Sequence, residues 1–287
     1  MNIYIIPTGR VRVDPGGPFG LVPRSLWSTY QPSDKDNLVL MDLNACLITY
    51  DKTKILIDTG LGDKLSPKGI RYWNLDHPAG TLVGNLEKAG VSPEEIDIVI
   101  NTHLHWDHCG GNTRIENGET KPTFPNAEYW VQRTEWADAM HPDARTRGTY
   151  LPENFKPIWN TGQLRLLTGD TQVTPEIRCV VTRGHTRAHQ SILLDSKPYP
   201  ILFVADMASF AIHMARPAWV TSYDVEPLEN IATKRRWQQW AVAKEALLIF
   251  EHDTVVPLAQ LKEETHGKLM LNPVDLAPDG LISPAVF

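Results

Sequence analysis

The sequence HLHWDHCGG, which begins at residue 103, follows the mostly apolar, strand-like run IDIVI. It brings His103, His105, Asp107 and His108 within six positions, although the chain has only 10 histidines among 287 residues. Imidazole nitrogens and carboxylate oxygens are ligands for zinc, iron, manganese and cobalt. Alternate residues leaving a strand can direct two side chains to one ion and two to a second. A chance histidine-rich loop is the alternative, which this density disfavours. The motif therefore predicts a metal site at a sheet edge.

Three further candidate ligands lie farther along the chain. His185, Asp206 and His252 each follow a short apolar run that a strand or helix would end at one edge of a sheet. Taken alone, each of them is explained as well by a hydrogen-bonded residue or a helix cap as by a metal ligand. A binuclear site needs roughly six to seven protein ligands, and these three residues complete that number. We therefore predict that they belong to the same site as the histidine-rich cluster.

The remaining pattern is typical of the α/β class. Two successive sets of strands with intervening helices predict helix-sheet-sheet-helix layering. Predicted strands cover residues 39–50, 53–58, 127–132, 190–194 and 201–205, and residues 164–181 are rich in strand signals. Predicted helices cover residues 81–89, 133–140 and 226–250, the last being the longest.

Composition restricts the class of partner. The formal net charge of −6 argues against a nucleic-acid partner, and 42% hydrophobic residues suffice for a substantial core. The N-terminus begins with a strand-like run and lacks a charged region followed by a long apolar core, so we expect no signal peptide and a cytoplasmic location. No membrane partner is expected. Cys46, Cys109 and Cys179 form no CxxC pair and are expected to be reduced.

The order HxHxDH, then Gly-His, then Asp, then His resembles that of the metallo-β-lactamase superfamily of metal-dependent hydrolases. The sequence ILIDTG at residues 55–60 is similar to the strand and turn before that motif, and the resemblance spans roughly residues 35 to 256. It implies an αββα sandwich with two mixed sheets flanked by helices. It also implies one domain over residues 1–287, with an N-terminal extension, residues 1–35, that lines the pocket or a dimer interface.

The same resemblance implies two divalent metal ions, zinc first and iron, manganese or cobalt as alternatives. By position, the first ion would be bound by His103, His105 and His185, the second by Asp107, His108 and His252, and both by the bridging Asp206. Asp107 and Asp206 are the predicted catalytic carboxylates, and Asp107 would pass a proton to the leaving oxygen. Asp58 would support the metal loop without being a ligand, and Asp58 and Thr186 are candidate partners of the ligating imidazoles.

Within the superfamily, the chain resembles the N-acyl-homoserine lactonases and the methyl-parathion-type organophosphate hydrolases, which share all seven ligands. The oxygen-reducing diiron branch has a Glu at the position of His105, which disfavours that branch. Several lactonases have a Tyr three residues after the bridging Asp, where this chain has Ser209. Tyr223 is the candidate for a replacement donor.

Two apolar stretches, residues 16–30 and 207–223, are the predicted walls of a substrate pocket. Packing in the core or at a homodimer interface is the alternative for each side chain. The predicted pocket residues are Phe19, Leu21, Trp27, Met207, Ser209, Phe210, His213 and Tyr223.

The expected activity is that of a lactonase which opens N-acyl-homoserine or related lactones by attack of a hydroxide held between the two ions. A phosphotriesterase or arylesterase is the first alternative, because the same ions support that chemistry. A metal-binding protein without turnover is the second. The expected partners are a small ester or lactone substrate and a second copy of the chain in a homodimer.

Overall fold

A computed structural model describes residues 1–264, 268–277 and 282 of the chain. Its strands are β1 (Asn2–Val13), β2 (Val39–Tyr50), β3 (Thr53–Ile57), β4 (Ile98–Ile100), β5 (Thr113–Glu116), β6 (Glu119–Pro122), β7 (Glu128–Gln132), β8 (Leu164–Leu167), β9 (Thr171–Thr174), β10 (Ile177–Val181), β11 (Gln190–Leu194), β12 (Ile201–Phe203), β13 (Leu247–Ile249), β14 (Leu258–Glu263) and β15 (Leu269–Pro273). Its α-helices are α1 (Arg24–Trp27), α2 (Pro67–Trp73), α3 (Leu82–Lys88), α4 (Trp106–Cys109), α5 (Arg133–Met140), α6 (Lys156–Asn160), α7 (Ala211–Ala215) and α8 (Pro227–Ala243).

The strands form two large mixed sheets and one hairpin. The first sheet has the order β1-β2-β3-β4-β7-β8, and its strands from β3 to β8 are parallel. The second sheet has the order β15-β14-β13-β12-β11-β10-β9 and is antiparallel except for the pair β12–β13. The α/β class and the mixed character of the sheets are therefore confirmed.

The chain divides into two compact units, the first made mainly of Met1–Arg10 and Leu43–Thr168. Its core packs Leu56 of β3 and Val99 of β4 against Leu86 of α3. Helix α3 begins where the Thr81 hydroxyl accepts a hydrogen bond from the Gly84 amide, which satisfies a free N–H of the first turn. This helix matches the predicted one. The core supports β4, which leads into the histidine-rich segment.

The second unit is made mainly of Val11–Asp42 and Gly169–Asp275. Its core includes Leu202 and Leu248, which face each other on the parallel strands β12 and β13, and Ala241 of α8. Because β12 and β13 are parallel, both end at the same edge of the sheet. Asp206 and His252 follow these two strand ends.

The predicted helix over residues 226–250 was wrong at its C-terminal end. Helix α8 stops at Ala243, and Glu245 adopts a left-handed conformation with φ of +50°, which ends the helix. The next apolar residues form β13, because pairing with β12 buries them on both faces of the sheet. Within the described part of the chain, none of the helices combines the length and apolar composition needed to cross a bilayer.

Candidate metal centre

The first unit carries the four predicted ligands of the HLHWDH segment. His103 and His105 lie in the loop after β4, whereas Asp107 and His108 lie in α4, and all four are buried. The imidazole ring of His103 lies 4.4 Å from that of His105 and 4.0 Å from that of His108, measured between ring centroids. Asp107 Oδ2 lies 3.9 Å from His108 Nε2. The loop and the following helical turn therefore gather the four side chains into one cluster.

Asp58 accepts hydrogen bonds from His108 of this cluster and from the neighbouring Thr102. Its Oδ1 accepts from the Thr102 amide at 2.8 Å, and its Oδ2 accepts from the Thr102 hydroxyl at 2.6 Å and from His108 Nδ1 at 3.0 Å. Since a carboxylate only accepts, Nδ1 of His108 bears the proton and Nε2 has a lone pair. These hydrogen bonds are the contacts that the predicted supporting role of Asp58 needs.

The same network determines the tautomer of His103. The Thr102 hydroxyl gives its proton to Asp58, so its oxygen can accept from Nδ1 of His103, 3.0 Å away. In the neutral ring, Nε2 of His103 therefore has the lone pair, and the same holds for His108. A neutral imidazole with its Nδ1 proton held by a protein acceptor is the usual state of a metal-binding histidine.

Close contacts fix the position of the backbone around α4. A Cβ atom at Gly110 would lie 2.1 Å from the Leu61 carbonyl oxygen, so only glycine fits there. Lys64 Nζ donates to the carbonyl oxygens of Gly110 and Thr113. The Cys109 thiol donates to the Leu104 carbonyl at 3.3 Å, and burial raises the pKa of that thiol. The Cys109 thiol is thus hydrogen-bonded to the backbone of the same loop.

The second unit carries the other three predicted ligands. Asp206 lies between two imidazoles, with Oδ2 at 3.1 Å from His185 Nε2 and Oδ1 at 3.3 Å from His252 Nε2. His252 Nδ1 donates to the Asp42 carbonyl oxygen at 2.8 Å. Both oxygens of the predicted bridging carboxylate therefore face histidine nitrogens.

His185 is held by Asp224, a residue that the sequence did not indicate. Asp224 Oδ1 lies 2.9 Å from His185 Nδ1, and the Thr221 hydroxyl and the Asn230 amide donate to the same carboxylate. Burial alone would lower the pKa of His185, but the carboxylates of Asp206 and Asp224 raise it to about 10. Asp224 is therefore a partner of His185 that the predicted candidates, Asp58 and Thr186, did not include.

His189 holds the backbone of Asp206 and was also missed. Its Nε2 accepts from the Asp206 amide at 3.1 Å, and its Nδ1 lies 2.8 Å from the Thr182 hydroxyl. The preceding residue, Ala205, has φ of +48°, a conformation that costs free energy outside glycine. The hydrogen bond to His189 therefore fixes Asp206 next to a strained residue. A second histidine four residues after His185 was the available signal.

The donor set fits divalent metal ions. In both units, histidines whose Nδ1 is already hydrogen-bonded direct Nε2 toward carboxylate oxygens. Two lone pairs at about 3 Å repel each other unless a cation or a proton lies between them. The chain thus has buried His and Asp clusters suited to binding divalent metals. In metal-free protein, the raised pKa of His185 means that a proton lies between these groups, and a bound metal ion would take its place.

Four of the predicted pocket residues pack together in the second unit. The ring of Phe19 lies 5.3 Å from that of Trp27, 5.5 Å from that of Phe210 and 5.6 Å from that of His213. All four side chains are buried. We call Phe19, Trp27, Phe210 and His213 the aromatic cluster.

The other predicted pocket residues have different surroundings. Met207 is buried in the core beside α8, and Leu21 is 99% exposed. The Tyr223 hydroxyl lies so close to Gly17 that a Cβ atom there would be 1.9 Å away. Ser209 is buried, and among the described residues its hydroxyl has no hydrogen-bond partner. The structure therefore does not bring Leu21 and Met207 into the aromatic cluster.

The segment that carries Phe19 is tied to the residues around His252. The Tyr30 hydroxyl donates a hydrogen bond to Asp253, which also accepts from the Ala211 amide at 2.9 Å. Burial and the neighbouring Asp253 carboxylate raise the pKa of Tyr30, so its hydroxyl stays a donor. Asp253 therefore links the N-terminal segment to the start of α7.

Known proteins of similar sequence include lactonases. The chain is 27% identical over 264 residues to an N-acyl homoserine lactonase from a Bacillus species, a match that covers 88% of this chain and 93% of that protein. It is 28% identical over 228 residues to the N-acyl homoserine lactonase AttM of Rhizobium radiobacter, covering 72% and 80% of the two chains.

Solved structures show the same fold. A probable metal-dependent hydrolase from Staphylococcus aureus superposes with a TM-score of 0.85 at 27% identity, covering 96% of this chain and 97% of that one. AidC, a dizinc quorum-quenching lactonase, superposes with a TM-score of 0.75 at 20% identity, covering 96% and 95%. Residues 41–257 match the family described as the Metallo-beta-lactamase superfamily. The chain therefore belongs to the metallo-β-lactamase superfamily of hydrolases and has its fold.

Proposed function

We propose that this protein is a binuclear metal-dependent lactonase that opens N-acyl-homoserine or related lactones. The observation that carries the proposal is the orientation of the buried histidines. His108 and His185 each donate a hydrogen bond from Nδ1 to one carboxylate and direct Nε2 toward a second carboxylate, so that an ion bound by both groups would lie between them. The sequence relatives named as N-acyl homoserine lactonases support the choice of substrate class.

The proposed ligands follow the family order. We assign one ion to His103, His105 and His185, the other to Asp107, His108 and His252, and the bridging position to Asp206. Zinc is the first choice, since nitrogen and carboxylate donors suit it, and iron, manganese or cobalt would accept the same set. When bound, two such ions supply a hydroxide nucleophile at neutral pH and polarise the carbonyl oxygen of the substrate.

Asp107 is the residue we assign to proton transfer. Its side chain is 12% exposed, whereas the Asp58 side chain is fully buried and fully engaged in hydrogen bonds. Ring opening breaks the bond between the carbonyl carbon and the ring oxygen, and that oxygen leaves as an alkoxide. Asp107 takes the proton released by the attacking nucleophile and delivers it to this alkoxide.

The aromatic cluster is the proposed site for the acyl chain. Phe19, Trp27 and Phe210 are apolar rings buried against one another, and we propose that the acyl chain packs beside them. The link from Tyr30 to Asp253 holds the segment that carries two of these rings. Apolar and aromatic walls with few polar groups are typical of small-molecule sites. The proposal also includes a homodimer and a cytoplasmic location, both of which stay predictions.

A substrate panel tests this function. Purified protein loaded with zinc, manganese or cobalt is assayed on N-hexanoyl-homoserine lactone, γ-decanolactone, paraoxon, a p-nitrophenyl ester and a β-lactam. We expect the highest kcat/KM for a lactone. A higher kcat/KM for paraoxon would support the phosphotriesterase alternative. Cleavage of none of these substrates by protein with two bound metals would support a metal-binding protein without turnover.

A further inference from the structure

His213 has a buried hydrogen-bond donor that no described residue accepts. Its Nδ1 accepts from the Phe210 amide at 3.4 Å, and the side chain lies in the aromatic cluster with 1% exposure. Because Nδ1 uses its lone pair in this hydrogen bond, the proton of the neutral imidazole is on Nε2. Among the residues that the structure describes, Nε2 has no hydrogen-bond partner.

The His213 imidazole stays neutral. Burial and the nearby Lys234 ammonium lower its pKa to about 3, although the Asp224 and Asp206 carboxylates act in the opposite direction. A protonated ring would also lose the acceptor for the Phe210 amide. His213 therefore presents one N–H donor and has no free lone pair, which excludes it as an eighth metal ligand.

Two aromatic rings lie beside this donor. The rings of Phe19 and Phe210 lie 5.6 Å and 5.7 Å from the imidazole ring. The Asp206 carboxylate lies near enough to act on it electrostatically. A buried N–H without an acceptor costs free energy, and such groups in native structures call for a specific explanation.

We propose that His213 is a specificity-determining residue whose Nε2–H binds the amide oxygen of an N-acyl lactone. This inference deepens the proposed function and rests on it. The lactone carbonyl must lie at the metals, and the acyl chain suits the aromatic cluster. The amide is the one polar group between these two parts of the substrate, so a lone donor among aromatic rings matches its oxygen.

The test compares two lactones that differ in the amide. N-hexanoyl-homoserine lactone has the acceptor oxygen, and γ-decanolactone has an alkyl chain without it. We expect His213→Leu to lower kcat/KM roughly 10- to 100-fold for the first lactone and only a few-fold for the second, because only the first loses a hydrogen bond. His213→Gln retains an N–H donor and should recover most of the loss. His141→Leu, which replaces an exposed histidine, should change neither value.

Two results would overturn the inference. Equal losses on both lactones, without recovery in His213→Gln, would mean that His213 is only structural. An unchanged kcat/KM for the amide lactone would mean that another group, such as a buried water, satisfies Nε2. If the wild type binds two metals and opens neither lactone, the proposed function fails separately. Calorimetry then measures the affinity of each lactone for the wild type and for His213→Leu. If the substitution weakens the binding of both lactones equally, or of neither, the proposed hydrogen bond is rejected.

Discussion

Asp224 Oδ1 lies 2.9 Å from Nδ1 of His185, and the same imidazole presents Nε2 to Asp206 Oδ2 at 3.1 Å. The first contact fixes the orientation of the ring, and the second directs Nε2 to the carboxylate that we propose as the bridging ligand. We expect Asp224→Asn to weaken metal binding about 10- to 100-fold, because a carboxylate partner both orients the imidazole and raises its basicity. Competition with a chelator measures this affinity.

Asp195→Asn is the matched control, since it removes an exposed carboxylate from the same unit. Its metal affinity should equal that of the wild type. If Asp224→Asn also binds metal like the wild type, Asp224 has no role in supporting a ligand.

Asp58→Asn tests the corresponding contact in the first unit. Asp58 accepts hydrogen bonds from Thr102 and His108, and an Asn side chain would place an NH₂ group against one of these donors. We expect metal affinity to fall about 10- to 100-fold and the free energy of unfolding to fall by about 1–3 kcal/mol. Chelator competition and urea unfolding measure the two effects. Asp63→Asn, at an exposed position, should leave both unchanged.

Asp107→Asn separates metal binding from proton transfer. Asn keeps an oxygen that can bind an ion but cannot carry a proton to the leaving alkoxide. We expect the variant to retain two metals and to lose roughly 100- to 10,000-fold in kcat, the usual contribution of a general acid. Metal analysis and initial rates on one lactone measure this. Full turnover with two bound metals would remove this role from Asp107.

The buried Lys234 should make the free energy of unfolding depend on pH. Burial lowers the pKa of this lysine from 10.5 to about 8, although Asp224 acts to raise it, and Nζ donates to the Trp219 carbonyl. Between about pH 8 and pH 10.5, Lys234 binds more protons in the unfolded chain than in the folded chain. The contribution of Lys234 to the free energy of unfolding therefore rises with pH, by up to roughly 3 kcal/mol.

Lys234→Met lacks this titration and serves as the reference. Urea unfolding at about pH 7 and about pH 10 should show wild type gaining stability relative to the variant as the pH rises. A difference between the two proteins that does not change with pH would contradict a buried lysine with a lowered pKa.

Gly110→Ala tests how closely the metal loop is packed. The new Cβ atom would lie 2.1 Å from the Leu61 carbonyl oxygen, so the backbone must move. We expect the free energy of unfolding to fall by about 1–3 kcal/mol or more, as for other overpacked positions. Gly148→Ala, where the new atom meets nothing within 4 Å, should be neutral. Equal stability of the two variants in urea unfolding would contradict the close contact.

The parts of the fold and site that depend on local pattern could be predicted from the sequence. The strand Val39–Tyr50 and the helix Leu82–Lys88 have clear alternation or capping signals. The HLHWDH cluster is visible because its four candidate ligands are neighbours in sequence. Asp224 and His189 could not be identified as supporting residues, because their partners depend on how distant loops fold. The end of α8 was missed because an apolar run fits a helix or a buried strand equally well.

The pocket residues show the same limit. Composition indicated that the segments around Phe19 and Phe210 are apolar, but it could not separate the aromatic cluster from Met207 in the core and Leu21 on the surface. The unpartnered nitrogen of His213 likewise follows from tertiary packing.

The central claim is that two metal ions held by these histidines and aspartates open a lactone ring. Titrating zinc into metal-free protein while following the hydrolysis of N-hexanoyl-homoserine lactone tests it most directly. We predict that the rate rises until two equivalents per chain are bound, in line with the two-metal chemistry proposed. A rate that is already maximal at one equivalent, or no turnover with two ions bound, would contradict the account.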